Sequence, residues 1–351
     1  MMNNLQIYAA ADPNGAGYIR GILGQTPNGR PLVTNNMQGY EFPKLMTPRG
    51  LMVNSLLRKD EWEELDSAIV MAARQRLNGI ADLVGRGLTK SITTMGVLTS
   101  QWNVSSQMSA PTVSMSGASV TNQDSVDFNL DGRPIPVIHK EYTIDLRQLE
   151  ADRLGGGGVD TTTAFEAGFV VAEKLEDILF NGDTLTFGGN TLYGYLTEPN
   201  TNTDTAANYG GGDWTTLANI VPTVEGMINA ANTDNHYGPF GVYASSTQYN
   251  EAALKYFSET ADTPLERILR MPMVDFVKPA DQLADGTIVV TQLTPDVVDV
   301  AGIGVDGTMV NNLEWTSLDG LVTHFKAIAV FAPRVKSKYD GKSGVIVATG
   351  A

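Results

Sequence analysis

The chain has no cysteine in its 351 residues, which excludes disulfide staples, thiolate nucleophiles and cysteine-ligated metals. Histidine is almost as scarce. His139, His236 and His324 stand in three unrelated segments, no HExxH occurs, and no two histidines fall at a helical spacing, so the sequence offers no zinc site. Long apolar runs are missing too. None approaches the roughly 20 residues that a helix needs to cross a bilayer. The opening MMNNLQIYAAADPNG has no basic flank followed by an apolar stretch, so no signal peptide is expected. The many serines include no GxSxG elbow. The four glycines at 155–158 match neither the dinucleotide fingerprint nor a phosphate loop, and read as a break between helices. NTNTDTAAN lacks the spacing of a calcium loop. Asp296 and Asp299 are neighbours in sequence only, and read as solvated loop carboxylates. No catalytic, cofactor-binding or metal-binding residue is nominated, and no enzymatic activity is expected.

What is present is globular. The composition is 42% hydrophobic and 18% charged, and the length suits two packed units with extensions. Net charge is −15, unevenly placed. Residues 1–59 carry six basic against two acidic groups, and residues 321–351 five against one. Residues 198–320 carry four against seventeen. The ends are weakly basic and the middle is acidic, which disfavours tight, sequence-specific DNA binding.

Residues 1–58 read as an extended arm. PNGAGYIRGILGQTPNGRP is a poor helix, because interior Gly and Pro cost about 1 and about 3 kcal/mol. Such a composition also suits a disordered tail, but Tyr18, Ile19, Tyr40, Phe42 and Leu45 need a surface to pack on, so docking on a neighbour is the favoured expectation. DEWEELDSAIVMAARQRLNGIADLVGRG then predicts one helix, with Asp60 as N-cap and Glu63 completing a capping box. Trp62, Leu65, Ile69, Ala73, Leu77, Ile80 and Val84 form its apolar stripe, and Gly85 and Gly87 end it. From 96 to 136 the pattern is polar. SVDFNLDGRP places Val126, Phe128 and Leu130 on one face of a half-buried strand, and PTVSMSGASV is the other extended arm. Such a hairpin cannot bury a core of its own. It is either an inserted loop or an arm seeking a partner surface.

IPVIHKEYTID follows as a strand. Asp145 caps a short helix, with Gln148 at the capping-box position. Asp160 then caps a long helix over 161–180. Phe165, Phe169, Ala172, Leu175, Ile178 and Leu179 share its apolar side; Glu166, Glu173, Lys174 and Asp177 share the other. This rod is on the order of 30 Å long, and Asn181-Gly182 terminates it. Residues 214–318 alternate helix and strand: a helix over 216–231, FGVYAS as a strand, STQYNEAALKYF opening a helix, and TIVVTQL, DVVDVAGIG and LEWTSL as strands. LVTHFKAIAVFAPRVKSKYDGKSGVIVATG predicts a long strand and then a hairpin turning at Asp340-Gly341.

The order of these parts, with DEWEELDSAIVMAARQRL (60–77), IPVIHKEYTIDLRQLEADR (135–153) and FVVAEKLEDILFNGD (169–183), resembles tailed-phage major capsid proteins of the Hong Kong 97 type. The branch it resembles is similar to encapsulin shell proteins. The resemblance implies an α+β fold with an N-terminal arm (1–58), a peripheral domain (59–95, 137–181 with a spine helix at 161–180, and 321–351), an extended loop (96–136) and an axial domain (182–320). It implies a structural protein without cofactors that assembles with itself into pentamers and hexamers, as the icosahedral shell of a phage virion. The expected partners are a portal protein and separate scaffolding or decoration proteins. The shell would be assembled in the bacterial host cytoplasm, away from membranes, and would enclose double-stranded DNA without reading its sequence. An encapsulin-like shell around protein cargo is the alternative. Encapsulins begin with a helix that shapes the cargo groove, and the Gly/Pro arm here departs from that pattern, which favours the viral shell. The arm also leaves no room for a fused scaffolding domain, so any scaffold is expected from another chain.

Overall fold

The structure is a computed structural model, and it describes residues 22–25, 31–33, 59–106, 108–113, 115, 124–154, 161–304, 310–316, 321–337 and 341–351. In chain order the first elements are β1 (Ile22–Gln25), β2 (Pro31–Val33), α1 (Lys59–Arg76), α2 (Asn78–Gly85), β3 (Thr89–Ser91), β4 (Thr99–Ser105), β5 (Phe128–Pro134) and β6 (Val137–Asp145). Next come α3 (Leu146–Leu154), α4 (Thr162–Asn181), β7 (Thr186–Phe187), β8 (Asn190–Thr191), β9 (Asn202–Thr205), α5 (Leu217–Thr233), β10 (Phe240–Ala244) and α6 (Ser246–Leu254). The remainder are α7 (Pro264–Leu269), β11 (Val274–Pro279), β12 (Ile288–Gln292), β13 (Val298–Gly302), β14 (Asn311–Thr316), β15 (Val322–Val335) and β16 (Val345–Thr349). Within the arm, β1 and β2 pair antiparallel. The rest of residues 1–58, the glycine turn at 155–158 and the Asp160 cap lie outside the described residues.

Helix α4 is the element against which its neighbours are set. Its apolar stripe buries Ala172, Leu175, Ile178 and Leu179 as expected, and the buried face also takes in Ala164, Ala167, Val171 and Phe180. Leu65 and Ile69 of α1 pack into the same core. The two helices come close at Gly168, where an added Cβ would lie 3.1 Å from the Cα and the carbonyl oxygen of Ile69. Gly168→Val is therefore expected to cost about 1–3 kcal/mol by overpacking. The measurement is the urea midpoint of the isolated subunit; an unmoved midpoint would mean that the helices separate freely. Gly182, with φ +73, closes the C-terminus of α4, as the Asn181-Gly182 pair predicts.

The helix expected over 60–84 is two helices. It breaks at Leu77, whose backbone (φ −82, ψ 82) is not helical. The new N-terminus is capped from a distance, because Glu176 of α4 accepts hydrogen bonds from the backbone N–H of Gly79 (2.6 Å) and of Ile80 (3.4 Å). A carboxylate there satisfies orphan amides and suits the positive end of the helix dipole. Asp60 is not the N-cap either: α1 begins at Lys59, so Asp60 lies in the first turn.

Five strands form one sheet in the order β11-β10-β12-β16-β9. Period-two alternation divides its side chains between two cores. Tyr243, Val289, Val345 and Val347 face the core shared with α2, α4, β13 and β15. Phe240, Val242, Ile288, Val290, Ile346 and Ala348 face a second core, which α5, α6 and α7 help to fill. A second sheet runs β14-β15-β13-β3, with β6 also paired to β15. Residues 338–340, which include Asp340 of the hairpin turn expected at Asp340-Gly341, lie outside the described residues. Among the described residues β15 and β16 are not paired with each other, and a single antiparallel bridge, Ser337 to Ser343, joins the two limbs. Beyond it β16 crosses into the other sheet, antiparallel to β12 and parallel to β9. Its fully buried Val-Ile-Val run suits an interior strand.

Candidate assembly surfaces

The hairpin between 96 and 136 is a ladder of β4 and β5, running from Thr99 opposite Pro134 to Ser105 opposite Phe128. The partner strand is thus TSQWNVS. The segment expected for that role, PTVSMSGASV, is not in this ladder at 111–113 and 115, and its residues 114 and 116–120 are outside the described residues. The alternation of Val126, Phe128 and Leu130 is real, but the face it makes is turned outward. Phe128 is 72% and Leu130 57% exposed, whereas Ser100, Val104 and Arg133 on the opposite face are buried. In the segment after β4, Met108, Val113 and Met115 are exposed as well. Single exposed apolar residues are ordinary, but Phe128 and Leu130 share one face of the ladder and make that face a candidate contact surface.

At its root the hairpin is tied to the body by ionic groups. Arg133 of β5 pairs with Glu198 at 2.5 Å, and each side chain is 3% exposed. Its other terminal nitrogen donates to Asp131 at 2.8 Å and to the carbonyl of Gly132 at 2.8 Å. The guanidinium carbon lies 5.3 Å from the ring centre of Trp102 and 5.0 Å from that of Tyr193, within cation–π range. Arg334 of β15 lies 5.6 Å from the same Trp102 ring. It donates to Ser100 Oγ at 3.1 Å and through Nε to Asp299 at 2.5 Å. Lys336 also reaches Asp299, at 2.8 Å. Burial pushes the Glu198 carboxyl above its ordinary range, with the charge of Arg133 acting against that rise.

A second exposed surface lies on the outward face of β14, β15 and β6. Trp315 stands opposite His324 in the ladder and stacks on it at 5.4 Å and 7°. Lys326 lies 5.4 Å from the Trp315 ring and pairs with Glu141 at 2.7 Å. Leu313 and Val137 are exposed on the same strands. A third lies beyond α6, where Leu254 and Tyr256 are exposed and Arg267 sits 3.6 Å over the Phe257 ring.

The groups weighed for chemistry remain apart. His139 is exposed on β6; His236 is buried between Gln292 and the Lys342 carbonyl; His324 belongs to the Trp315 stack. Asp299 lies in the strand expected from DVVDVAGIG, but it is buried and held by Arg334 and Lys336 rather than solvated. Asp296 is exposed. Among the described residues no group of three or more His, Asp or Glu is placed to hold a metal ion, and no helix is long and apolar enough to cross a membrane. Sequence reasoning missed Arg133, Trp102 and Glu198. Each is unremarkable in its own segment, and the signal that unites them is contact between segments some 65 residues apart.

Comparison with known proteins places these surfaces in context. The model of the family of unknown function DUF6260 matches residues 51–348. The type 1 encapsulin shell protein EncA of Myxococcus xanthus (strain DK1622) is 25% identical over 249 residues, which is 70% of this chain and 80% of that protein. The virus-like particle of Pyrococcus furiosus superposes with a TM-score of 0.57 at 16% identity, covering 82% of this chain and 98% of the other. The capsid of Myoviridae phage XM1 superposes with a TM-score of 0.54 at 16% identity, covering 76% and 90%. The fold is the α+β Hong Kong 97-type fold.

Proposed function

The chain belongs to the DUF6260 family of unknown function, and from that premise we propose that it is a self-assembling shell subunit. In this reading it is the major capsid protein of a tailed phage, which forms pentamers and hexamers around double-stranded DNA. The observation that carries the reading is the hairpin, whose root is buried in its own body while Phe128 and Leu130 face away from it. A projecting apolar face with a fixed base is suited to covering a neighbouring copy, and closed symmetry turns such head-to-tail contacts into a finite cage. Many modest contacts per subunit then add through avidity.

In the same proposal α1, α2, α4, β6 and β15 make the peripheral unit, and residues 96–136 make the extended loop. Of residues 182–320, expected as the axial unit, 182–297 make it, whereas β13 and β14 pair with β15 of the peripheral unit. β16, expected with the peripheral unit, pairs with β12 and β9 and joins the axial one. The arm at 1–58 lies on a neighbour. The acidic middle of the chain repels packed DNA instead of holding it at fixed points, so the genome is enclosed without sequence-specific binding. A portal protein and separate scaffolding or decoration proteins are the remaining partners. The work of the chain is structural, and no catalytic step is assigned to it. The shell would reside in the virion after assembly in the host cytoplasm.

An encapsulin-like cargo shell is the second reading, favoured by the similarity to EncA over 70% of the chain. One experiment addresses both. The full chain, expressed in bacteria and purified, is expected to give closed particles in electron micrographs, alone or with a co-expressed scaffold. Particles that stay empty or take up DNA fit the capsid, whereas particles enclosing one co-purifying enzyme fit the cargo shell. A monomer that persists at high concentration in both expressions would refute both readings.

A further inference from the structure

The root of the hairpin does more than join it to the body. Apart from the Arg133–Asp131 pair within β5, its links run from β4 or β5 to other parts of the chain. Arg133 reaches Glu198 in the segment between β8 and β9, and lies over Tyr193 in that same segment. Arg334, held on β15 by Asp299 of β13, reaches back to Ser100 of β4 and to the ring of Trp102. The indole thus has a guanidinium from its own hairpin at 5.3 Å and one from the body at 5.6 Å. The two arginines and Glu198 are almost wholly buried, and Asp299 nearly so. Water is therefore a poor substitute for any member that swings away, and a hairpin that tilted would strand a charge in the interior.

From this arrangement we infer that the Arg133–Glu198 pair and the Trp102–Arg334 contact together form a lock that fixes the angle of the β4–β5 hairpin in the free subunit, before any neighbouring copy is met. The inference rests on the shell reading for its purpose: an arm already aimed does not lose conformational freedom when it docks, so subunits join with less ordering cost. The lock itself is a property of one chain. Its alternative is an arm that swings freely until a neighbour captures it.

The absence of cysteine makes the test direct, because introduced thiols are the only ones present. Ser105→Cys on the hairpin and Glu259→Cys on the body carry a pair of spin labels in the unassembled full-length subunit. The expected result is one narrow distance distribution, which Arg133→Met and Glu198→Gln both broaden, with Arg133→Lys in between. Amide exchange across β4 and β5 should rise in Arg133→Met on the order of a hundredfold while exchange in α4 stays unchanged, since a buried charge has lost its partner. Where Arg133→Met fails to fold, Glu198→Gln and Trp102→Leu carry the same readout. A wild-type distribution that is already broad, or one that all variants leave narrow, overturns the lock. A narrow distribution sensitive to these variants, in a chain that never forms particles, keeps the lock and rejects the shell.

Discussion

Phe128→Asp combined with Leu130→Asp is expected to abolish closed particles while leaving the subunit folded. Both side chains are more than half exposed on the outward face of β5, so the exchange removes no core contact, and surface substitutions of this kind usually change stability by about 0.5 kcal/mol or less. The effect on assembly is different in kind. If each subunit lays that face on a neighbour, two carboxylates become buried without partners at every such contact, and the penalty recurs around the whole cage. Circular dichroism and the urea midpoint should match the parent chain, while sedimentation should show only small species. Particles forming in normal yield would mean that the apolar face of the hairpin points into solvent in the assembled shell and that the contact surface lies elsewhere.

Glu176→Leu carries the largest expected effect on the subunit itself. Its carboxylate is buried and accepts from the amides of Gly79 and Ile80. Leucine fills similar space but accepts nothing, so the first turn of α2 keeps two donors without their partner. Unmet buried donors cost about 1–3 kcal/mol each, and a total of about 2–4 kcal/mol is expected in chemical denaturation. Glu176→Gln retains an acceptor oxygen and should lose much less. Equal losses in the two variants would mean that the negative charge matters more than the hydrogen bonds.

The same residue illustrates what could be read in advance. Glu176 lies four residues after Ala172 and seven after Phe169, so a helical projection puts it on the apolar side of α4. A carboxylate in that position was the available sign of a buried partner. The spine helix and the Leu65–Ile69 side of α1 were legible because they bury side chains at the helical period, and β10, β12 and β13 because each is a short, continuously apolar run buried on both faces. Other elements carried no such pattern. β9, from NTNTDTAAN, is a polar strand with no periodic signal, and it exists by pairing with β16. Helix α7 spans six residues, too few for a period, although Thr263, Pro264 and Glu266 do spell its capping box and first turn. In the hairpin, the alternation of Phe128 and Leu130 was visible, but which side faced the body was not. That depended on Arg133 finding Glu198, a tertiary event.

The placement of β16 sets a condition on synthesis. Because this strand lies between β12 and β9, β9 has no ladder partner until residues 345–349 have been made, more than 140 positions after its own translation. The second core, which takes in Ile346 and Ala348, therefore closes only after this strand has been made. If the chain is a shell subunit, nascent chains that stop short of β16 have no finished second core to present to each other, and growth of the cage awaits chains that have passed it.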